Sequence, residues 1–317
     1  MSSTVSDDDE SMDETLLTQL VLPVVLFAIG LSVGVSLNVS DFSRAFQQPK
    51  APLLGIFCQV ILLPLMGWLM TILFNVKKEL AVGLVLVSLC PGGGSSNYIA
   101  LVAGGEGALS VSLTVVSGAV TIFTLPFLLD FSVQHFIESD EALVGTDGIA
   151  INIGELILGS ALITILPVSI GVTCRHFKPG FCQRIEKPLK ILGGLCMTGI
   201  VVFAILAYLD LVKEAFREVG VAVFLLNTIM MGLSYGMARV TGLGHTLGIT
   251  LAIESGIQYS GLALTIGVSM LDTVRDGDGN VIFDPDLVIM PAAIYTIFMY
   301  TSGMTLIVLH HFNENAK

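Results

Sequence analysis

The sequence predicts an all-α integral membrane protein: nine transmembrane helices in inverted repeats, two of them discontinuous and crossing near the bilayer midplane. Three observations predict it. Only 13% of the residues are charged against 54% hydrophobic, with a mean hydropathy of +0.87, whereas a soluble chain carries about 25% charged residues. Apolar runs recur from one end of the chain to the other, near the roughly 20 residues that a crossing helix needs. Two of these runs are interrupted by residues that a helix interior or a bilayer disfavours, "CPGGGSSN" at 90–97 and Glu254-Ser255-Gly256.

Taken in order, the first 14 residues, "MSSTVSDDDESMDE", hold six of the 26 acids. They read as a disordered acidic tail. With no positive n-region the segment is not a secretory signal peptide, and its charge argues against a nucleic-acid partner. The spans follow at 15–37, 51–76, 80–105, 107–129, 149–174, 191–209, 219–238, 240–271 and 287–309. They make one membrane domain, 15–311, with a short tail at 312–317 and no room for a soluble domain. A barrel would instead alternate every second residue over segments of about 10.

Orientation follows from the basic residues of the short loops. With the N-terminus outside, nine of the 14 lysines and arginines fall on the inner side and five on the outer. The block "RHFKPGFCQRIEK" (175–187) dominates, so the C-terminus and the 312–317 tail are expected to be cytoplasmic, in a multi-pass protein of the cell membrane. Asn38-Val39-Ser40 matches a glycosylation sequon but falls on the inner side, where it reads as a chance match.

The two interruptions carry most of the information. A proline inside a helix costs about 3 kcal/mol and each glycine about 1, so 80–105 breaks at Pro91 and the glycines after it. A charge at the bilayer centre costs about 2.5 kcal/mol or more, and Glu254 stands in the middle of 240–271. Irregular backbone at that depth is tolerated only where protein or a watery cavity satisfies it. The stretches "GLVLVSLCPGGGSSNYIALVAG" from Gly83 and "GITLAIESGIQYSGLALTIG" from Gly248 also resemble each other, 165 residues apart. The third span runs inward and the eighth outward, so the copies are inverted. Paired interrupted segments of this kind point to a transporter binding site.

A hard monovalent cation binds where a carboxylate, hydroxyls, amides and unwound carbonyls converge. Glu254 and Gln258 at one break, and Ser95, Ser96 and Asn97 at the other, are candidates. Ser110 and Thr114 share one face of the fourth span, and Gln59 lies in the second. Each has a plainer reading: a structural glutamate bonded to a neighbouring helix, hydroxyls bonded to their own helix, an interhelical amide. The five cysteines fit neither a disulfide framework nor a zinc spacing and read as small packed residues. There is no G-x-S-x-G or H-E-x-x-H, and only His245 approaches a span core, so an enzyme is not expected. "RDGDGNVIFDPD" (275–286) resembles a calcium loop, but it puts Val274 and Pro285 where carboxylates are required. It reads as an acidic outward hairpin.

Three stretches, "CPGGGSSNYIALVAGGEGALSVSLTVVS", "IESGIQYSGLA" and "DFSRAFQQPKAPLLGIFCQVILLPLMGW", together resemble the bile acid:sodium symporter family, in order over about residues 20–305. The resemblance implies inverted repeats with a core domain (80–129 and the 219–271 region) and a panel domain formed by the remaining spans. It is the nine-helix form that the chain resembles. It also implies two co-transported sodium ions: one on Ser96, Asn97, Ser110, Thr114 and Glu254, the other on Gln59, Glu254 and Gln258 with backbone oxygens near Ser255 and Ile257. The substrate would sit at the crossing, beside Gly94, Ser95, Tyr259 and Ser260. Two positions depart from the family, which commonly has asparagine at 259 and, in bacterial relatives, threonine at 94. The expected function is sodium-coupled symport of an organic anion (bile acid-like, carboxylate or sulfonate) by alternating access. A proton-coupled carrier of organic anions or a cation/proton antiporter is the alternative, although no aspartate lies in a span.

Overall fold

The computed structural model describes residues 22–36, 49–137, 153–271 and 285–315. The acidic tail, the sequon and all but the last two residues of the 275–286 hairpin lie outside them. The described residues are almost entirely helical: α1 (Leu22–Ser36), α2 (Lys50–Ile56), a π segment (Phe57–Leu62), α3 (Leu63–Leu73), α4 (Lys78–Leu89), α5 (Gly94–Val102), α6 (Gly107–Ile137), α7 (Ile153–Phe177), α8 (Pro179–Ala207), α9 (Leu209–Val240), α10 (Gly244–Gly256), α11 (Ser260–Leu271) and α12 (Pro285–Asn315). Among the described residues, four continuous helical stretches, Lys50–Leu73, Gly107–Phe136, Leu209–Val240 and Asp286–Phe312, are long and apolar enough to cross a membrane.

The remaining core helices are short. Helices α4, α5, α10 and α11 have 12, 9, 13 and 12 residues. At about 1.5 Å per residue the longest of them spans roughly 20 Å, less than the ~30 Å hydrocarbon core. None crosses alone.

Two groups of helices emerge from the packing. Helix α1 lies against α7 and α8, with Gly34 and Gly171 facing so closely that a Cβ on Gly171 would stand 2.6 Å from the Gly34 carbonyl carbon. Small residues let helix backbones approach like this in a bilayer. The second group joins α4, α6, α9, α10, α11 and α12. Residues 50–73 pack on α4 and α9, and α12 packs on α4, α9 and α11. Residues 50–73 and α12, which the sequence-based division counted with the panel, thus pack against this second group.

Two more differences have local causes. The basic block 175–187 is not a loop: Pro179 opens α8, a position where its missing N–H costs nothing. Helices α6 and α12 also outrun their apolar windows, ending at Ile137 and Asn315, because a helix does not stop where hydropathy falls.

Candidate functional site

The site lies where two chain breaks meet. Helix α4 ends at Leu89, Cys90 is extended (φ −70°, ψ 151°), and α5 starts at Gly94. Helix α10 ends at Gly256, Ile257 is extended (φ −108°, ψ 96°), and α11 starts at Ser260. The breaks pair as a short antiparallel bridge, Gly92 opposite Gln258. The Gly93 N–H donates to the Ile257 carbonyl (2.9 Å) and the Tyr259 N–H to the Pro91 carbonyl (2.8 Å). Each break thus satisfies buried backbone groups of the other, which an apolar surrounding demands.

Glu254 is fully buried in the last turn of α10. The negative end of the helix dipole lies there, so a carboxylate is disfavoured, and among the described residues no lysine or arginine pairs with it. Three hydroxyls surround it instead. Ser96 Oγ, on the first turn of α5, is 2.6 Å from Oε1; Ser110 Oγ, on α6, also contacts Oε1; Thr114 Oγ1, one turn on, is 3.0 Å from Oε2. Asn97 Oδ1 is 2.9 Å from Ser110 Oγ and 3.3 Å from Thr114 Oγ1. Ser96 also reaches the Gly93 carbonyl (2.6 Å), and Thr114 that of Ser110 (3.1 Å). Three hydroxyl protons therefore face five acceptor oxygens. Oxygen is in excess, the condition a hard cation meets.

Beyond the carboxylate lies a second group of oxygens. Gln59 Nε2 donates to the Glu254 carbonyl (2.7 Å), and Gln258 Nε2 to the Ser255 carbonyl (2.8 Å). Both amides spend their nitrogens on backbone, leaving Gln59 Oε1 and Gln258 Oε1 buried without a partner, as is Ser255 Oγ. Such orphans are costly unless something absent from the protein satisfies them. Gln59 is held by the π segment Phe57–Leu62. Its cause is Pro64, which lacks the N–H and crowds the preceding turn.

Two residues of the site carried no sequence reading. The Asn227 amide (2.7 Å) and the Tyr295 hydroxyl (3.0 Å) both donate to the Gly256 carbonyl, fixing the end of α10. A lone asparagine in the apolar run 219–238 was the available signal for the first; Tyr295 gave none.

A cavity of about 150 Å³ opens between the break and the α1–α7 group, with Gly94, Thr114, Gly118, Tyr259, Ile29 and Ser169 in its wall. Gly94 and Tyr259 thus reach the cavity. Ser95 and Ser260 do not: they face α12, Ser95 beside the Tyr300 hydroxyl (3.5 Å) and Ser260 beside Met299 sulfur (3.6 Å). Thr114 belongs both to the cavity wall and to the carboxylate cluster.

The profile described as Sodium Bile acid symporter family matches residues 23–215. A probable sodium/metabolite cotransporter, BASS2, chloroplastic, of Oryza sativa subsp. japonica is 28% identical over 272 residues, 86% of this chain and 59% of that protein. An uncharacterized sodium-dependent transporter, YocS, of Bacillus subtilis (strain 168) is 24% identical over 274 residues, 85% of this chain and 76% of its own length. The human ileal sodium/bile acid cotransporter is 26% identical over 234 residues, 73% of this chain and 64% of its own. The chain thus spans about three fifths of the rice and human relatives.

Proposed function

Because the chain belongs to the sodium bile acid symporter family, a family of transporters rather than enzymes, we propose that it moves an organic anion across a membrane with two sodium ions by alternating access. The observation that carries this reading is Glu254, buried with no basic partner among the described residues and set among oxygens that outnumber their protons. One sodium ion would bind Ser96, Asn97, Ser110, Thr114 and the Glu254 carboxylate. The other would use Glu254, Gln59 and Gln258, with backbone oxygen at Ser255 and Ile257, where the orphaned amide oxygens supply the fit.

In this reading α4 with α5, and α10 with α11, each cross the bilayer as a pair, making nine crossings with the N-terminus outside. The anion would occupy the cavity. The first turn of α5 begins at its wall and carries no side-chain cap; the Ser96 N–H goes to the Gly93 carbonyl, which leaves the Gly94 and Ser95 N–H groups and the helix dipole for a negative charge. Thr114 would link the two ligands: an ion drawing its oxygen inward changes the wall that the anion meets. Alternating access would be the rocking of α1, α7 and α8 against the paired breaks.

Sodium titration of uptake and of melting temperature in purified protein tests the reading. Uptake driven equally by a pH gradient in sodium-free buffer would favour a proton-coupled carrier instead. Gln59→Leu and Gln258→Leu should each remove the second ion and leave the first, lowering the Hill coefficient for sodium from about two toward one. A coefficient unchanged in both variants would take these amides out of the cation sites.

Tyr259→Asn and Gly94→Thr should shift which anion competes for uptake while the sodium-induced melting shift stays near that of the parent. Neither side chain is proposed as a cation ligand, and each changes the size and hydrogen bonding of the cavity wall. A competition profile identical to the parent across carboxylates and sulfonates would remove both positions from the anion site.

A further inference from the structure

Away from the paired breaks, two thiols meet at the corner between α7 and α8. Cys174 stands in the last turn of α7 and Cys182 in the first turn of α8, with their sulfurs 3.2 Å apart. The corner is closely built. The Lys178 N–H donates to the Cys174 carbonyl (2.7 Å) and the Cys182 N–H to the Lys178 carbonyl (3.1 Å). Arg175 braces it by donating to the Val35 carbonyl at the end of α1 (3.0 Å) while pairing with Glu186 of α8 (3.1 Å). Cys182 is buried, whereas Cys174 is half-buried beside the exposed Thr173 and His176. Among the described residues no group of three histidine, cysteine or acidic side chains could hold a metal ion, so a pair of thiols stands here without a third ligand. Spacing alone had suggested unrelated packed cysteines; the helical corner brings them together.

We propose that Cys174 and Cys182 form a redox-active dithiol, closed reversibly to a disulfide by exchange with a small disulfide such as oxidised glutathione. Cys174, within reach of solvent, loses its proton, and its thiolate attacks one sulfur of the glutathione disulfide. The glutathione S–S bond breaks, a Cys174–glutathione S–S bond forms, and one glutathione thiolate leaves and takes up a proton. The Cys182 thiolate then attacks Cys174 Sγ, forming the protein disulfide and releasing the second glutathione in the same way. The two cysteines lose two electrons and two protons, and both reach the two glutathiones. Burial raises the Cys182 thiol above its ordinary range while Arg175 acts against it. That leaves Cys174 to meet the oxidant and Cys182, already in contact, to complete the exchange. The bond would staple the α7–α8 corner, and the proposal stands independently of what the protein transports.

Chymotrypsin cuts after Phe177 and Phe181, which places the two cysteines in different peptides. The full chain in detergent is treated with oxidised glutathione, blocked with N-ethylmaleimide and digested without reduction. The expected product is a linked pair of these peptides, lighter than their sum by two hydrogens and lost after dithiothreitol. Cys174→Ser and Cys182→Ser should each lack it, leaving the remaining cysteine alkylated or carrying glutathione. Recovery of both parent cysteines separately, alkylated or glutathionylated, overturns the proposal, as does linkage of either one to a different cysteine. The mapping of the parent needs no variant to fold.

Discussion

Glu254→Gln is expected to abolish sodium-dependent uptake and the sodium-induced rise in melting temperature together. The amide keeps the volume of the carboxylate, and the Ser96, Ser110 and Thr114 hydroxyls can turn to accept from it or donate to its oxygen, so the fold survives. The negative charge common to both proposed ions does not. Sodium at about 100 times its Kd stabilises a protein that binds it only when folded by about 2.7 kcal/mol, and none of that stabilisation should remain in the variant. Uptake is measured in vesicles with and without sodium, and melting in detergent over a sodium series with potassium as control. A variant that keeps the full sodium shift would show that the ions bind elsewhere.

Gly92→Ala should be nearly as damaging, although no ligand atom is removed. A Cβ at this position would stand 2.6 Å from Glu254 Oε2 and 2.9 Å from Gln59 Nε2. Neither can retreat freely: the carboxylate is held by three hydroxyls and the amide by the Glu254 carbonyl. Overpacking of this kind costs about 1–3 kcal/mol, and here the strain falls on the one side chain that both proposed ions share. Uptake should drop to background and the parent's sodium-induced melting shift should shrink sharply. Gly107→Ala is the control, since its Cβ would meet nothing nearer than 3.7 Å. Equal uptake by both variants would separate the paired breaks from transport.

The helical class was legible because hydropathy is a local property, and so were the polar residues worth watching. Glu254, Gln59, Ser96, Asn97 and Ser110 stand out in apolar runs by their cost alone, and in the fold they converge. What each atom does was not legible. That Gln59 spends its nitrogen on the Glu254 carbonyl, or that Asn227 and Tyr295 hold Gly256, depends on pairs 195, 29 and 39 residues apart, which no window of sequence contains. Side-chain direction was illegible for the same reason: Ser95 and Ser260 flank the breaks in sequence, and the helical turn points them at α12. The basic block at 175–187 was read as a loop because its charges hid a proline that starts a helix. The meeting of Cys174 with Cys182 required that corner to be known.

The bridge between the two breaks has a consequence for how the protein is made. Gly93 finds its hydrogen-bond acceptor only at Ile257, 164 positions later in the order of synthesis. Ribosomes add roughly 5–20 residues per second, so Gly93 emerges on the order of 10–30 seconds before its acceptor exists. During that interval no crossing partner can satisfy the first break from within the chain. Its earlier half must wait, beside water or in the care of the insertion machinery, until the later half arrives.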